Sequence, residues 1–328
     1  MARSDNGRIV KRKAAPSSRN ARARAVAAGI SLSSRRPRAH ADAVATTLQL
    51  EDVRRAVRAA LAEDLGTGDV TTLATVPENA HAQAVMRARE PLVVAGLAFA
   101  EEAFRALAAE LRVAPAVADG ARVGPGGTLL TVTGPARALL GAERVALNFV
   151  QRLSGVATAT AAYVDAIADT GAQLLDTRKT TPGWRAFEKY AVACGGGRNH
   201  RFGLFDLVLI KDNHLAALRD AAPNAVAAAV QRARARFPQL KVEVEADTLE
   251  QVQQAVAAGA DIILLDNMPP ALLREAVALV GGRAQTEASG GVTLETIRAI
   301  AGTGVDFISV GAITHSARAV DIGLDFAP

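Results

Sequence analysis

The sequence predicts an α/β protein, a smaller α+β unit followed by a parallel β/α unit, and three observations carry the prediction. Six apolar runs end in charged or small residues: LLDT (174–177), LIKD (209–212), VEVE (242–245), ILLD (263–266), TEAS (286–289) and ISVG (308–311). Helical stretches at 224–236, 248–258, 270–280 and 293–301 separate several of them, so the runs recur every 21 to 35 residues, the rhythm of βαβ units. Ahead of them the glycines and proline of DGARVGPGGTLLTVTG (119–134) punctuate short strands and turns.

Taken in chain order, the first element is a helix over Leu48–Leu65, whose apolar residues 50, 53, 57 and 61 share one face, with Thr47 as its N-cap. Residues 82–94 alternate as a strand does, 97–111 are helical again, and 113–133 read as strands and turns. Pro135 opens a long helix to about Asp169, which bridges the two units. The six runs then follow. In a barrel of such units the strand C-termini open onto one face, which brings Arg178, Lys179, Lys211, Glu245, Asp266, Ser289 and Gly311 to one mouth. Periodicity alone also admits a doubly wound open sheet.

Composition limits the function. The chain has 328 residues, half of them apolar and few aromatic, enough for two domains around aliphatic cores. Its net charge of +5 divides unevenly: residues 1–40 carry 11 Lys/Arg and one acid, and the remainder carries 27 basic and 32 acidic residues. Residues 1–45 therefore read as a disordered basic tail. An organelle transit peptide or a nucleic-acid arm would explain it, and a dispensable extension or a start placed too far upstream is the plainer account. No apolar run of about 18 residues offers a membrane span, and the single Cys194 can form no intramolecular disulfide, so a soluble cytoplasmic protein is expected.

The chemistry concentrates between Asp176 and His214, where 39 residues hold seven Lys/Arg, two His and four acids in turn-rich sequence. Arg178, Lys179, His200, Arg201 and Lys211 offer donors for carboxylates or phosphates. Glu245 and Asp266, at neighbouring strand ends, suit a hard divalent cation that bridges phosphate oxygens. The glycines of Ser289-Gly290-Gly291 and Val310-Gly311-Ala312 let backbone N–H groups approach an anion, and a helix N-terminus follows the first of these turns. A sugar phosphate, a metal-bound pyrophosphate and a second anionic substrate together suggest phosphoribosyl transfer. Glu243 shares a strand face with Glu245, so either carboxylate could dominate. Asn213 and His214 read as closing a turn, Cys194 as packing, and Glu63 and Asp64 as a helix end. His40, His81 and His315 show no metal-ligand spacing.

The runs DTRKTTPG (176–183), EKYAV (188–192), GGGRNHR (195–201) and LIKDNH (209–214) resemble the quinolinate phosphoribosyltransferase family. So do EDLGTGDVTT (63–72), ERVALNFVQRLSGVAT (143–158), EVEAD (243–247), LLDN (264–267), EASGG (287–291) and SVGAITHS (309–316), in the same order, so that the resemblance covers about residues 48–328. It implies an N-terminal α+β sandwich-like domain over 46–142, on which 313–328 pack back, and an open (β/α) TIM-like barrel of about six to seven strands over 143–312. It also implies a reaction: quinolinate and 5-phosphoribosyl-1-pyrophosphate give nicotinate mononucleotide, pyrophosphate and carbon dioxide with Mg²⁺, a step of NAD synthesis.

Carried over residue by residue, Arg178, Lys179, His200 and Arg201 would bind the dicarboxylate, and Thr177 would also contact substrate. Lys211 would neutralise pyrophosphate or a substrate carboxylate, and Glu245, favoured over Glu243 by the family register, would meet the ribose and the metal with Asp266. Ser289 to Gly291 and Val310 to Ala312 would hold the 5-phosphate. Lys179, Lys211, Glu245 and Asp266 are the expected catalytic group, and Arg144 would reach the site of a second subunit in a homodimer. The alternatives are a molybdenum-associated paralogue acting on another anionic ring and a nucleic-acid-binding protein working through the basic tail.

Overall fold

A computed structural model describes residues 47–327, and the expected tail, residues 1–45, lies outside them. Helix α1 (Leu50–Leu65) buries Val53, Val57 and Leu61, as the spacing requires, while Leu50 stays 53% exposed. Its N-cap position is Gln49 rather than Thr47; no side chain caps it, and Glu51 and Asp52 in the first turn complement the helix dipole instead. Helix α2 (Val70–Thr75) was not foreseen. Asp69 starts it by accepting the Thr72 N–H at 3.0 Å, so the EDLGTGD run supplies one helix end and the next helix start.

There follow β1 (His81–Ala88), β2 (Leu92–Val93), α3 (Leu97–Leu107), β3 (Arg112–Pro115), β4 (Arg122–Val123) and β5 (Thr128–Pro135). Helix α4 (Ala136–Ala166) buries residues along its whole length, among them Leu139, Val150, Leu153 and Ala157. Then come β6 (Gln173–Leu175), α5 (Arg185–Cys194), β7 (Val208–Ile210), α6 (Asp212–Ala216), α7 (Ala225–Arg236) and β8 (Val242–Ala246). The chain ends through α8 (Leu249–Ala257), β9 (Ile262–Asp266), α9 (Pro270–Val280), β10 (Gln285–Ser289), α10 (Leu294–Ala301), β11 (Phe307–Ser309), α11 (Ala312–His315) and β12 (Ile322–Phe326).

Strands β12, β1, β5 and β3 form an antiparallel sheet in that order, so the C-terminal strand lies beside the first one. The segment leading to it crosses α4 at Gly155, where an added methyl would overlap the Arg318 carbonyl oxygen. A glycine is required there by close approach rather than by backbone conformation. Strands β6, β11, β10, β9, β8 and β7 form a six-stranded parallel sheet in that order, with β6 and β7 at its edges. The architecture is the expected α/β arrangement with TIM-like strand order, open rather than closed.

Side chains alternate along these parallel strands. Val242, Val244 and Ala246 of β8, Ile263 and Leu265 of β9 and Ile308 of β11 are buried in the apolar core. The opposite faces carry Leu209, Glu245, Leu264, Glu287, Ser289 and Ser309, which line one cavity. Aliphatic packing dominates, with one exception beside the site: Phe99, Phe149 and Trp184 stack in series, with centroids 4.7 and 5.1 Å apart, and Phe187 meets Phe99 and Trp184 edge-on. This cluster packs the start of α5 against α3 and α4.

Candidate active site

At the C-terminal ends of the parallel strands lies a cavity of about 570 Å³. Arg178, Lys179, Arg201 and Lys211 give it four basic side chains, and Glu245, Asp266 and Asn267 lie on its wall with the turn Ser289-Gly290-Gly291. Thr177 and His200 complete the predicted residues that the fold brings together. Four predicted residues are not in its lining. Arg144 is exposed on α4. Val310 is buried core, and its N–H is already given to the Leu175 carbonyl at 3.0 Å, so it offers no donor to a phosphate. Gly311 and Ala312 sit at the start of α11, beside Lys179 and His315: a Cβ at Gly311 would lie 3.0 Å from Lys179 Cδ and 3.1 Å from the His315 ring.

The arm that carries Arg178 and Lys179 is held at several points. The Thr177 hydroxyl accepts the Lys179 N–H (3.0 Å), and the Thr314 hydroxyl donates to the Lys179 carbonyl (2.7 Å). Glu188 is fully buried, accepts the Thr181 N–H (3.0 Å) and the Thr181 hydroxyl (2.8 Å), and is matched by Arg152 at 2.7 Å. Below it lies a buried ion pair that sequence reasoning missed. Lys189 Nζ donates to Asp176 Oδ1 (2.6 Å) and to the His200 carbonyl (3.0 Å), and Asp176 also accepts from the His200 N–H (2.7 Å) and Asn199 Nδ2 (3.0 Å). One pair therefore fixes the start of both basic arms. The spacing of Asp176 and Lys189 gave no hint of it, because α5 between them was not predicted.

Glu243 and Glu245 share a face of β8 but not a depth. Glu245 lies at the mouth beside Lys211, with which it forms an ion pair. Two residues earlier, roughly 7 Å down the strand, Glu243 is completely buried beneath the cavity, close to the buried Glu287 that lines its floor. His200 Nε2 lies 3.2 Å from Glu243 and 3.4 Å from Glu287. Burial, and then the Glu287 carboxylate, push the Glu243 carboxyl up. Burial works against a second proton on His200 and the Glu287 and Glu243 carboxylates for it, the carboxylates prevailing. Yet the Arg201 N–H points at His200 Nδ1 from 2.7 Å, which marks that nitrogen as an acceptor. On this geometry the ring directs an Nε2 proton at the two carboxylates.

The turns follow the same logic. Gly290 (φ 97°) and Gly291 (φ 57°) are both left-handed, a backbone that suits glycine. His214 Nδ1 accepts the Lys211 N–H (2.9 Å), which closes the turn into α6. Cys194 is half-buried, and burial pushes its thiol up to about 11, so it is no nucleophile at neutral pH. What results is an anion pocket with a basic half, an acidic half and a glycine turn. Among the described residues no helix is long and apolar enough to cross a membrane.

The chain is similar to known proteins along most of its length. The model of the quinolinate phosphoribosyl transferase N-terminal domain matches residues 69–154, and that of the C-terminal domain matches 156–325. A Mycobacterium leprae protein named nicotinate-nucleotide pyrophosphorylase [carboxylating] is 48% identical over 285 residues, 84% of this chain and 98% of the relative. A Bacillus subtilis protein named as a probable enzyme of the same kind is 44% identical, over 80% of this chain and 89% of its own length. The solved structure of the nicotinate-nucleotide pyrophosphorylase from Francisella tularensis superposes with a TM-score of 0.82 at 41% identity, covering 86% of this chain and 99% of that one. The chain belongs to the quinolinate phosphoribosyl transferase family.

Proposed function

We propose that this protein transfers the phosphoribosyl group of 5-phosphoribosyl-1-pyrophosphate to quinolinate and releases carbon dioxide, forming nicotinate mononucleotide and pyrophosphate. The observation that carries the reading is the division of one cavity into a basic half, from Arg178 to Lys211, and an acidic and glycine half, from Glu245 to Gly291. The basic half matches a ring with adjacent carboxylates, and the other half matches a phosphorylated sugar. Relatives at 48% and 44% identity that are named as carboxylating pyrophosphorylases favour this over a paralogue acting on another ring.

In this reading Arg178, Lys179 and Arg201 orient the dicarboxylate with its ring nitrogen toward the ribose C1. Lys211 leaves Glu245 to meet a substrate anion, and Ser289 to Gly291 hold the 5-phosphate. Departure of pyrophosphate leaves oxocarbenium-like charge at C1, so positioning and fixed electrostatics supply the rate, with no covalent nucleophile. Glu245 and Asp266 are hard oxygen donors at adjacent strand ends of the same cavity, which fits Mg²⁺ held between them and the substrate. Such an ion would neutralise charge on the leaving pyrophosphate. Exposed Arg144, outside the cavity of its own chain, completes the site of a partner subunit in a homodimer. We place the enzyme in the cytoplasm. Incubation with quinolinate, 5-phosphoribosyl-1-pyrophosphate and Mg²⁺ tests the proposal: nicotinate mononucleotide is expected, and no turnover by pure dimeric protein would overturn it.

A further inference from the structure

Among the described residues one non-glycine residue has a left-handed backbone, Asn267 (φ 53°). Such a conformation is unfavourable for most side chains, tolerated by asparagine and easiest for glycine. Asn267 follows Asp266 at the end of β9 and lies on the cavity wall. Its Nδ2 donates to Asp266 Oδ2 at 2.6 Å. Its backbone N–H donates to the Ser289 carbonyl at 2.9 Å. Its side chain fills the space left by the missing Cβ of Gly290, where a methyl would overlap Asn267 Oδ1 and lie 2.9 Å from its backbone nitrogen. One residue thus ties the acid at the end of β9 to the glycine turn at the end of β10.

We propose that Asn267 is a positioning residue that sets the Asp266 carboxylate against the Ser289–Gly291 turn, so that the ribose and the 5-phosphate of one sugar phosphate are met together. The inference rests on the phosphoribosyl reading of the cavity. If the position needed only its backbone bend, glycine would serve at least as well. With one Asp266 oxygen engaged by the amide, fewer carboxylate orientations remain open on the cavity wall.

Asn267→Gly separates the two roles, because it keeps the left-handed backbone and the bond to Ser289 while removing the amide. The expected result is an unchanged or higher melting temperature, affinity for 5-phosphoribosyl-1-pyrophosphate with Mg²⁺ weaker by about tenfold or more by calorimetry, and quinolinate affinity within about twofold. Asn267→Ala should lose the same affinity and also melt lower, since alanine resists positive φ. Wild-type affinity and kcat in Asn267→Gly would overturn the inference and leave the parent reading standing. A wild-type protein that binds the sugar pyrophosphate but does not turn over quinolinate would overturn the parent reading, with Asn267 still judged by the affinity ratio. Wild-type protein that binds neither ligand would overturn both.

Discussion

Lys189→Met asks whether a buried ion pair holds both arms of the site. The Lys189 and Asp176 side chains are both 0% exposed and 2.6 Å apart. Burial pushes Asp176 up and Lys189 down in the face of their mutual attraction, so desolvation is the larger effect on each. The intact pair then adds little net stability, yet removing the ammonium strands a buried carboxylate at a cost of about 3–5 kcal/mol. The His200 N–H and Asn199 amide still reach Asp176, which places the expected loss near the lower end, about 3 kcal/mol. At roughly 2–4 °C per kcal/mol for a domain of this size, melting should fall by about 6–12 °C. Urea denaturation followed by fluorescence of the single Trp184 gives the free energy directly. Asp176→Asn combined with Lys189→Met should recover at least about 2 kcal/mol, because a neutral amide oxygen still accepts the His200 N–H without a buried charge. A single variant within about 0.5 kcal/mol of wild type, or a double variant no better than the single, would refute the argument.

Other outcomes follow from the same geometry. Lys179→Ala and Lys211→Ala should each lower kcat about 10²-fold, the scale of one preorganised donor; a change in KM alone would assign them to ground-state binding. Arg144→Ala mixed with Lys179→Ala should regain activity through hybrid dimers that keep one intact shared site, and inactive, proven heterodimers would contradict Arg144 acting in a partner's site. Glu90 is held at about 2, chiefly by its hydrogen bonds from Arg318 and the Asp321 N–H, below its ordinary 4.5. A depressed carboxyl stabilises the fold above its ordinary value and loses that contribution as pH falls from 4.5 through about 2. Glu90→Gln should therefore be less stable by under about 1 kcal/mol at neutral pH and should converge with wild type in acid; stability curves that run parallel through acid would contradict the tie between Glu90 and the C-terminal segment.

The strand ends were legible because each parallel strand switches from aliphatic to charged or small residues where it leaves the core, and Lys211, Glu245, Asp266 and Ser289 are those switches. Depth within the barrel was not legible: Glu243 and Glu245 have identical periodicity, and only the packing of His200 and Glu287 shows which carboxylate lies beneath the floor. Residues that act through tertiary contacts were missed for the same reason. Asn267 follows a predicted site residue, but the notch at Gly290 that holds it is formed by the turn after β10. His315 reaches the Lys179 and Gly311 neighbourhood through α11, whose four residues are too few to announce a helix. The glycine beside Val310 suggests a phosphate turn, whereas the Val310 N–H completes the pairing to Leu175.

Quinolinate labelled in the carboxyl group that departs should release labelled carbon dioxide only when 5-phosphoribosyl-1-pyrophosphate and Mg²⁺ are present. The gas, pyrophosphate and nicotinate mononucleotide should appear in equal amounts. Release of label without the sugar pyrophosphate, or nucleotide formation without loss of the label, would rule out coupled transfer and decarboxylation in this cavity.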